Sequence, residues 1–225
     1  MVNQFIGGEW VTEYDPTADD GSFQRQPTTF RDRINPAEVE SGRYHLYVSY
    51  ACPWAHRTLI ARKLLGLEDA ISVDVVDPYR DEDGWQFTPE KEGCTADSHN
   101  GADYLREVYL EADPDYTGRV TVPVLWDRKD ETIVNNESRE IMRNLTTAFA
   151  ELGNGVELAP ADRRDDIDSV LDDIYEPINN GVYRTGFAET QSAYDEAVRE
   201  LFDALDHWDS VLADQRYLVG DRLTE

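Results

Sequence analysis

The stretch that decides the fold runs Tyr44-His45-Leu46-Tyr47-Val48-Ser49-Tyr50-Ala51-Cys52-Pro53-Trp54. Its first seven residues are mostly aromatic or apolar and mark a buried strand. Ala51-Cys52-Pro53 then interrupts that strand. Pro53 suits the first turn of a helix, where the missing N–H has no intrahelical partner to lose. Apolar positions Trp54, Leu59, Ile60, Leu64 and Leu65 recur near helical spacing, and Gly66 stands where the helix would stop. Ile71 to Val76 reads as a second strand, ended by Asp77-Pro78. Strand, helix and strand in this order imply a parallel pair with a right-handed crossover.

Further along, residues 79–103 form a long polar loop holding Trp85, Phe87 and Cys94, and a short helix is expected around Tyr104 to Leu110. Val120 to Trp126 and Thr132 to Val134 suggest an antiparallel hairpin, after which Ser138 can cap a helix from Arg139 to Phe149. Pro123 conflicts with a strand interior. A cis Val122-Pro123 bond at a strand end would resolve the conflict. The order β-α-β-(α)-β-β-α predicts an α/β, thioredoxin-like fold. After Gly153-Asn154-Gly155 the pattern turns wholly helical. Ile167, Val170, Leu171, Ile174 and Ile178 mark one amphipathic face; Ala197, Leu201, Leu205, Trp208 and Leu212 mark another. The expected organisation is an N-terminal arm over 1–40, a thioredoxin-like thiol-binding domain over 41–152, and the start of an all-helical domain over 153–225. Thr224 resembles a cap with no helix behind it, so the helical part is expected to be cut short.

Composition bounds the function. Asp and Glu number 47 against 21 Lys and Arg, a formal net charge of −26 over 225 residues. Such self-repulsion opposes compactness in dilute buffer, whereas molar salt screens it to within about 3 Å. A salt-rich cytoplasm fits this balance. Nucleic acid is excluded as an expected partner, because phosphate binding needs a basic face. No apolar run approaches the roughly 20 residues that span a bilayer. The first residues lack the basic start and apolar stretch of a secretory signal, so a cytoplasmic, membrane-free protein is expected. Cys52 and Cys94 are the two cysteines; they form no Cys-x-x-Cys pair and no zinc spacing.

Three places carry candidate chemistry. Cys52 directly precedes a helix start, where unsatisfied amides and the positive end of the helix dipole favour a thiolate, with Arg57 or His56 adding positive potential. The alternative is a buried structural cysteine. Ala55 occupies the position of a resolving cysteine, so a partner thiol must come from a small molecule or another protein. With a cis proline, the backbone of Val122 would face the cysteine and could hold a peptide-like thiol in strand fashion. Glu137-Ser138 at a helix N-terminus offers a carboxylate for an α-ammonium, and a hydroxyl and amide for a carboxylate. Cys94 lies in a polar loop without a nearby base and is expected to be non-catalytic. Trp85 is equally a core anchor or a wall of the site.

With these pieces in place, the chain resembles the glutathionyl-hydroquinone reductases, the xi class of the glutathione transferases, as a halophilic archaeal member. The resemblance rests on Gly42-Arg43-Tyr44-His45-Leu46-Tyr47-Val48-Ser49, Ala51-Cys52-Pro53-Trp54-Ala55-His56-Arg57, Gly118-Arg119-Val120-Thr121-Val122-Pro123-Val124-Leu125-Trp126-Asp127, Asn135-Asn136-Glu137-Ser138 and Asn179-Asn180-Gly181-Val182-Tyr183. It implies that Cys52 attacks the sulfur of a glutathionyl-hydroquinone, forming a mixed disulfide that a second glutathione resolves. It implies that Trp85, Arg119, Val122, Glu137 and Ser138 hold glutathione and that Tyr183 lines the quinol pocket. No metal is implied, and a homodimer is the implied assembly. Arg184 departs from the lysine expected after Tyr183, and γ-glutamylcysteine is an alternative thiol for a salt-loving archaeon. A conjugating transferase and a non-catalytic assembly module are the competing readings.

Overall fold

The computed structural model describes residues 2–225. The chain divides into two compact units, Met1–Tyr14 with Pro27–Glu157, and Asp15–Gln26 with Leu158–Glu225. The stretch read as a single arm is thus shared between them.

The first unit is built on a four-stranded sheet. Strands β1 (Val2–Ile6) and β2 (Glu9–Tyr14) form a separate hairpin, followed by β3 (Tyr44–Val48), α1 (Pro53–Leu64) and β4 (Ile71–Val75). Two short strands, β5 (Arg80–Asp81) and β6 (Gly84–Trp85), precede α2 (Leu105–Ala112), β7 (Val124–Asp127), β8 (Thr132–Asn135) and α3 (Ser138–Thr147). The sheet order is β4-β3-β7-β8. β3 pairs parallel to β4, Tyr44 opposite Ile71 and Val48 opposite Val75, and antiparallel to β7, Leu46 opposite Leu125. All five residues of β3 are buried, as expected of a central strand covered on both faces. Alternation sends Tyr44 toward Phe149 beyond α3, while His45 and Tyr47 face the opposite side, where Tyr47 meets Phe87.

Several expectations need adjustment. The strand at 44–50 ends at Val48, and β7 begins only at Val124, because Pro123 cannot donate to the ladder. The Val122-Pro123 bond is cis. The hairpin β1–β2 was not foreseen. Its turn is Gly7-Gly8, both at positive φ, a two-residue hairpin signal that the polar surroundings concealed. Phe5 exchanges backbone hydrogen bonds with Gly118 at 2.9 and 3.0 Å, so this hairpin anchors the loop leading to Val122.

The second unit is helical: α4 (Arg164–Ile174), a π-helical turn at Tyr175–Asn179, α5 (Gly181–Gly186) and α6 (Gln191–Asp214). Its core gathers Ala159, Ile167, Leu171 and Val219, with Val170 and Ile174 packed alongside. Of the five residues expected to form the buried face of α6, Ala197 and Leu201 are buried, whereas Leu205 and Leu212 are exposed. The 15–26 segment belongs to this unit. Gly21 abuts Thr190, where a Cβ would come within 2.5 Å of the threonine side chain, and Phe23 packs on Phe187. Among the described residues no helix is long and apolar enough to cross a membrane, and no group of His, Cys, Asp or Glu is arranged to hold a metal ion.

Candidate active site

Cys52 is the N-cap residue of α1, with extended backbone, and Pro53 occupies the first helical position. The strand-to-helix junction is tight: Cys52 N–H donates to the Ser49 carbonyl at 3.1 Å, and the Cys52 carbonyl accepts from His56 N–H at 3.0 Å. The sulfur is half-buried beside the amide end of α1, and the thiol donates to the Val122 carbonyl at 3.4 Å. The structure therefore brings Cys52 and Val122 together, as the sequence suggested. His56, one of the two residues considered as its electrostatic neighbour, is exposed.

Glu137 and Ser138 exchange one expected role. Glu137, not Ser138, is the N-cap of α3, its carboxylate accepting from Arg139 N–H at 3.3 Å; Ser138 is the first helical residue and is buried. The capping role falls to Glu137 because the backbone is still extended there and turns helical at Ser138, whose hydroxyl is engaged elsewhere. Arg57 donates to Ser138 Oγ through Nε at 3.0 Å and Nη2 at 2.6 Å. The same guanidinium lies 3.6 Å from Glu137 Oε1 and 4.9 Å from the Trp54 ring centre. Thr28 Oγ1 donates to Glu137 Oε2 at 3.3 Å. Neither Arg57 as a partner of Ser138 nor Thr28 as a partner of Glu137 was foreseen. Both pairings span 81 or more residues, and no local pattern marks them.

The remaining candidates are set by their own loops. Trp85 lies on β6, half-buried, with the Arg80 guanidinium 6.0 Å from its ring centre across the β5–β6 pair. Arg119 is half-buried and its carbonyl accepts from Tyr116 Oη at 3.0 Å. Tyr109, whose phenol burial pushes up, donates to the Thr121 carbonyl at 2.9 Å and accepts from Asn136. Residues 118–122 are thereby held from three sides, by Phe5, Tyr116 and Tyr109. Tyr183 belongs to the second unit, half-buried on α5, with the Arg25 guanidinium 4.4 Å above its ring and Arg25 Nε donating to Asn180 at 2.6 Å. Cys94 is half-buried, its sulfur 3.9 Å from the Val76 carbonyl.

A sheet of this order, with a cysteine at the head of its first helix, defines a thioredoxin-like, thiol-chemistry protein. The family model for the N-terminal domain of glutathione S-transferases matches residues 51–148. The glutathionyl-hydroquinone reductase PcpF of Sphingobium chlorophenolicum is 50% identical, over 98% of this chain and 71% of that protein. The solved structure of a xi-class glutathione transferase from Natrialba magadii superposes with a TM-score of 0.91 at 62% identity, covering 99% of this chain and 69% of that one. The glutathione-bound structure of YqjG from Escherichia coli K-12 does so with a TM-score of 0.83 at 47% identity, covering 98% and 70%. The chain belongs to the glutathionyl-hydroquinone reductases, the xi class of the glutathione transferases.

Proposed function

We propose that this protein removes glutathione from glutathionyl-hydroquinones through a mixed disulfide at Cys52. The observation that carries this is the seat of the Cys52 sulfur, half-buried at the amide end of α1 and facing the Val122 peptide. While protonated, the thiol donates to the Val122 carbonyl. Once ionised, it can no longer donate, the contact turns repulsive, and the sulfur is released toward a substrate. Cys52 thiolate attacks the glutathionyl sulfur; the carbon–sulfur bond breaks, its electron pair passes to the ring carbon, and that carbon takes up a proton to give the hydroquinone. A second glutathione thiolate attacks the glutathionyl sulfur of the Cys52 mixed disulfide, giving oxidised glutathione and Cys52 thiolate. One displacement is thus split into two easier ones.

In this reading Trp85, Arg119, Val122, Glu137 and Ser138 hold glutathione, and Tyr183 meets a ring oxygen of the quinol. The Val122 backbone suits a peptide in strand fashion, and among the described residues no backbone carbonyl accepts from its N–H. The charge pair of Arg57 and Glu137 suits the zwitterionic end of a γ-glutamyl group, which glutathione and γ-glutamylcysteine share. The domain assignment we propose is a thiol-binding, thioredoxin-like unit and an all-helical one, in a homodimer within a salt-rich cytoplasm. A conjugating transferase and an assembly module both lose ground, because neither needs the Cys52 setting and the family is one of reductases.

The test is steady-state reduction of a glutathionyl-menadiol-type substrate in concentrated salt, with intact-mass analysis after exposure to oxidised glutathione. A single glutathione adduct on Cys52, and near-complete loss of turnover in Cys52→Ala, are expected. Turnover retained by Cys52→Ala would overturn the assignment.

A further inference from the structure

Resting on the reading of Glu137 and Ser138 as the γ-glutamyl end of the thiol site, we infer that Arg57 is a positioning residue that turns the Ser138 hydroxyl into an obligate hydrogen-bond donor for a γ-glutamyl α-carboxylate. A serine hydroxyl carries one hydrogen and two lone pairs. Nε–H and Nη2–H of Arg57 both point at Ser138 Oγ, at 3.0 and 2.6 Å, and together occupy the lone pairs. The hydrogen is what remains. Ser138 is only 3% exposed, and among the described residues no acceptor takes that hydrogen. A buried donor without an acceptor is costly, and a ligand carboxylate removes the cost. An amine or a neutral amide nitrogen at the same point would meet a donor and be rejected.

The guanidinium also settles a charge conflict. Glu137 is held close by, with Oε1 accepting from Arg139 N–H and lying 3.6 Å from Arg57, and Oε2 accepting from Thr28. Without Arg57, a bound carboxylate would face Glu137 inside a protein of net charge −26. With it, Glu137 can serve an α-ammonium while Ser138 serves the α-carboxylate beside it. The stacking of Arg57 on Trp54 fixes the plane of the guanidinium, so both N–H groups stay aimed at one oxygen. Sequence spacing alone conveys none of this, because Arg57 follows Cys52 by little more than one helical turn and looks like a neighbour of the thiol.

The discriminating experiment measures the second-order rate of adduct formation on Cys52, by intact mass, with two disulfides: oxidised glutathione and the disulfide of cysteinylglycine, which lacks the γ-glutamyl group. In each, Cys52 thiolate attacks one sulfur and the other leaves as a thiolate. The wild type should prefer oxidised glutathione. Arg57→Gln should lower the glutathione rate at least about tenfold, the loss of a charge-assisted contact, and leave the cysteinylglycine rate within about twofold. Arg57→Lys, which keeps the charge but makes a single contact, should recover part of the preference. Should Arg57→Gln fail to fold, Ser138→Ala must erase the same preference. An equal fall for both disulfides, or an unchanged preference in Arg57→Gln or in Ser138→Ala, overturns the inference while leaving Cys52 chemistry intact. A wild type that forms no glutathione adduct overturns instead the reading beneath it.

Discussion

Helices α3 and α6 carry apolar faces of similar periodicity, yet they use them differently. In the ten residues of α3, six are buried, including Ile141, Met142 and Leu145. In the 24 residues of α6, only Ala197 and Leu201 are buried, and Phe202, Leu205 and Leu212 are exposed. The contrast extends to the polar groups. The first unit buries ion pairs and hydrogen-bonded carboxylates, such as Arg43 with Asp127 and Asp97 with Tyr47 Oη. The core of the second unit is a small apolar cluster of Ala159, Ile167, Leu171 and Val219. Periodicity tells which side of a helix is apolar; it does not tell what that side meets.

The contrast can be broken most forcefully at Asp127. Both partners of the Arg43 pair are nearly buried, at 10% and 5% side-chain exposure, so Asp127→Ala leaves the guanidinium to the exposed carboxylates of Asp130 and Glu40 and should cost about 3 kcal/mol in a urea titration in concentrated salt. A cost under about 1 kcal/mol would mean that this network contributes specificity and not stability. Next in size, Ile167→Ala should cost about 3 kcal/mol through the cavity left in the helical core. Its unfolding should appear in probes of the second unit, such as Trp208 fluorescence, with the Cys52 adduct rate as the control.

A pH titration sharpens the comparison further. Burial alone would raise the Asp127 carboxyl, but Arg43 and the amides of Lys129 and Asp130 together hold it below the ordinary range. A carboxylate depressed in the folded state stabilises above its unfolded pKa of about 3.9, and that contribution is lost as pH falls through the folded value. Urea midpoints should therefore drop below about pH 4, and less steeply in Asp127→Asn. An equally steep drop in that variant would remove Asp127 from the account. The smallest effect is expected on α6. Phe202→Ser, at an exposed site, should change stability by less than about 0.5 kcal/mol. A cost above about 1.5 kcal/mol would show that this face is covered in solution.

The site was legible where chemistry is local. Cys52 before Pro53 at a strand-to-helix junction, and Val122 before Pro123, are read from neighbouring residues, because capping and proline stereochemistry act over one turn. Glu137-Ser138 was legible as a helix start but not as a division of labour. The Ser138 hydroxyl is taken up by Arg57, which arrives from another helix, while Glu137 caps. The N-terminal hairpin was missed for the opposite reason: its Gly7-Gly8 signal is local, but among the described residues of its strands Gln4 and Phe5 are the nearly covered ones, so no alternating apolar face marks them.

By itself, the sequence determined the order of the four sheet strands and of the helices between and after them from β3 to α3, the cysteine at the head of the first helix and the acidic balance, since each follows from residue type and short-range spacing. Only the tertiary structure decided that Arg57 serves Ser138 and Glu137, that β1 clamps the loop ahead of Val122, and which positions of α6 are covered. These rest on contacts between residues far apart in the chain, and a pattern of near neighbours contains no record of them.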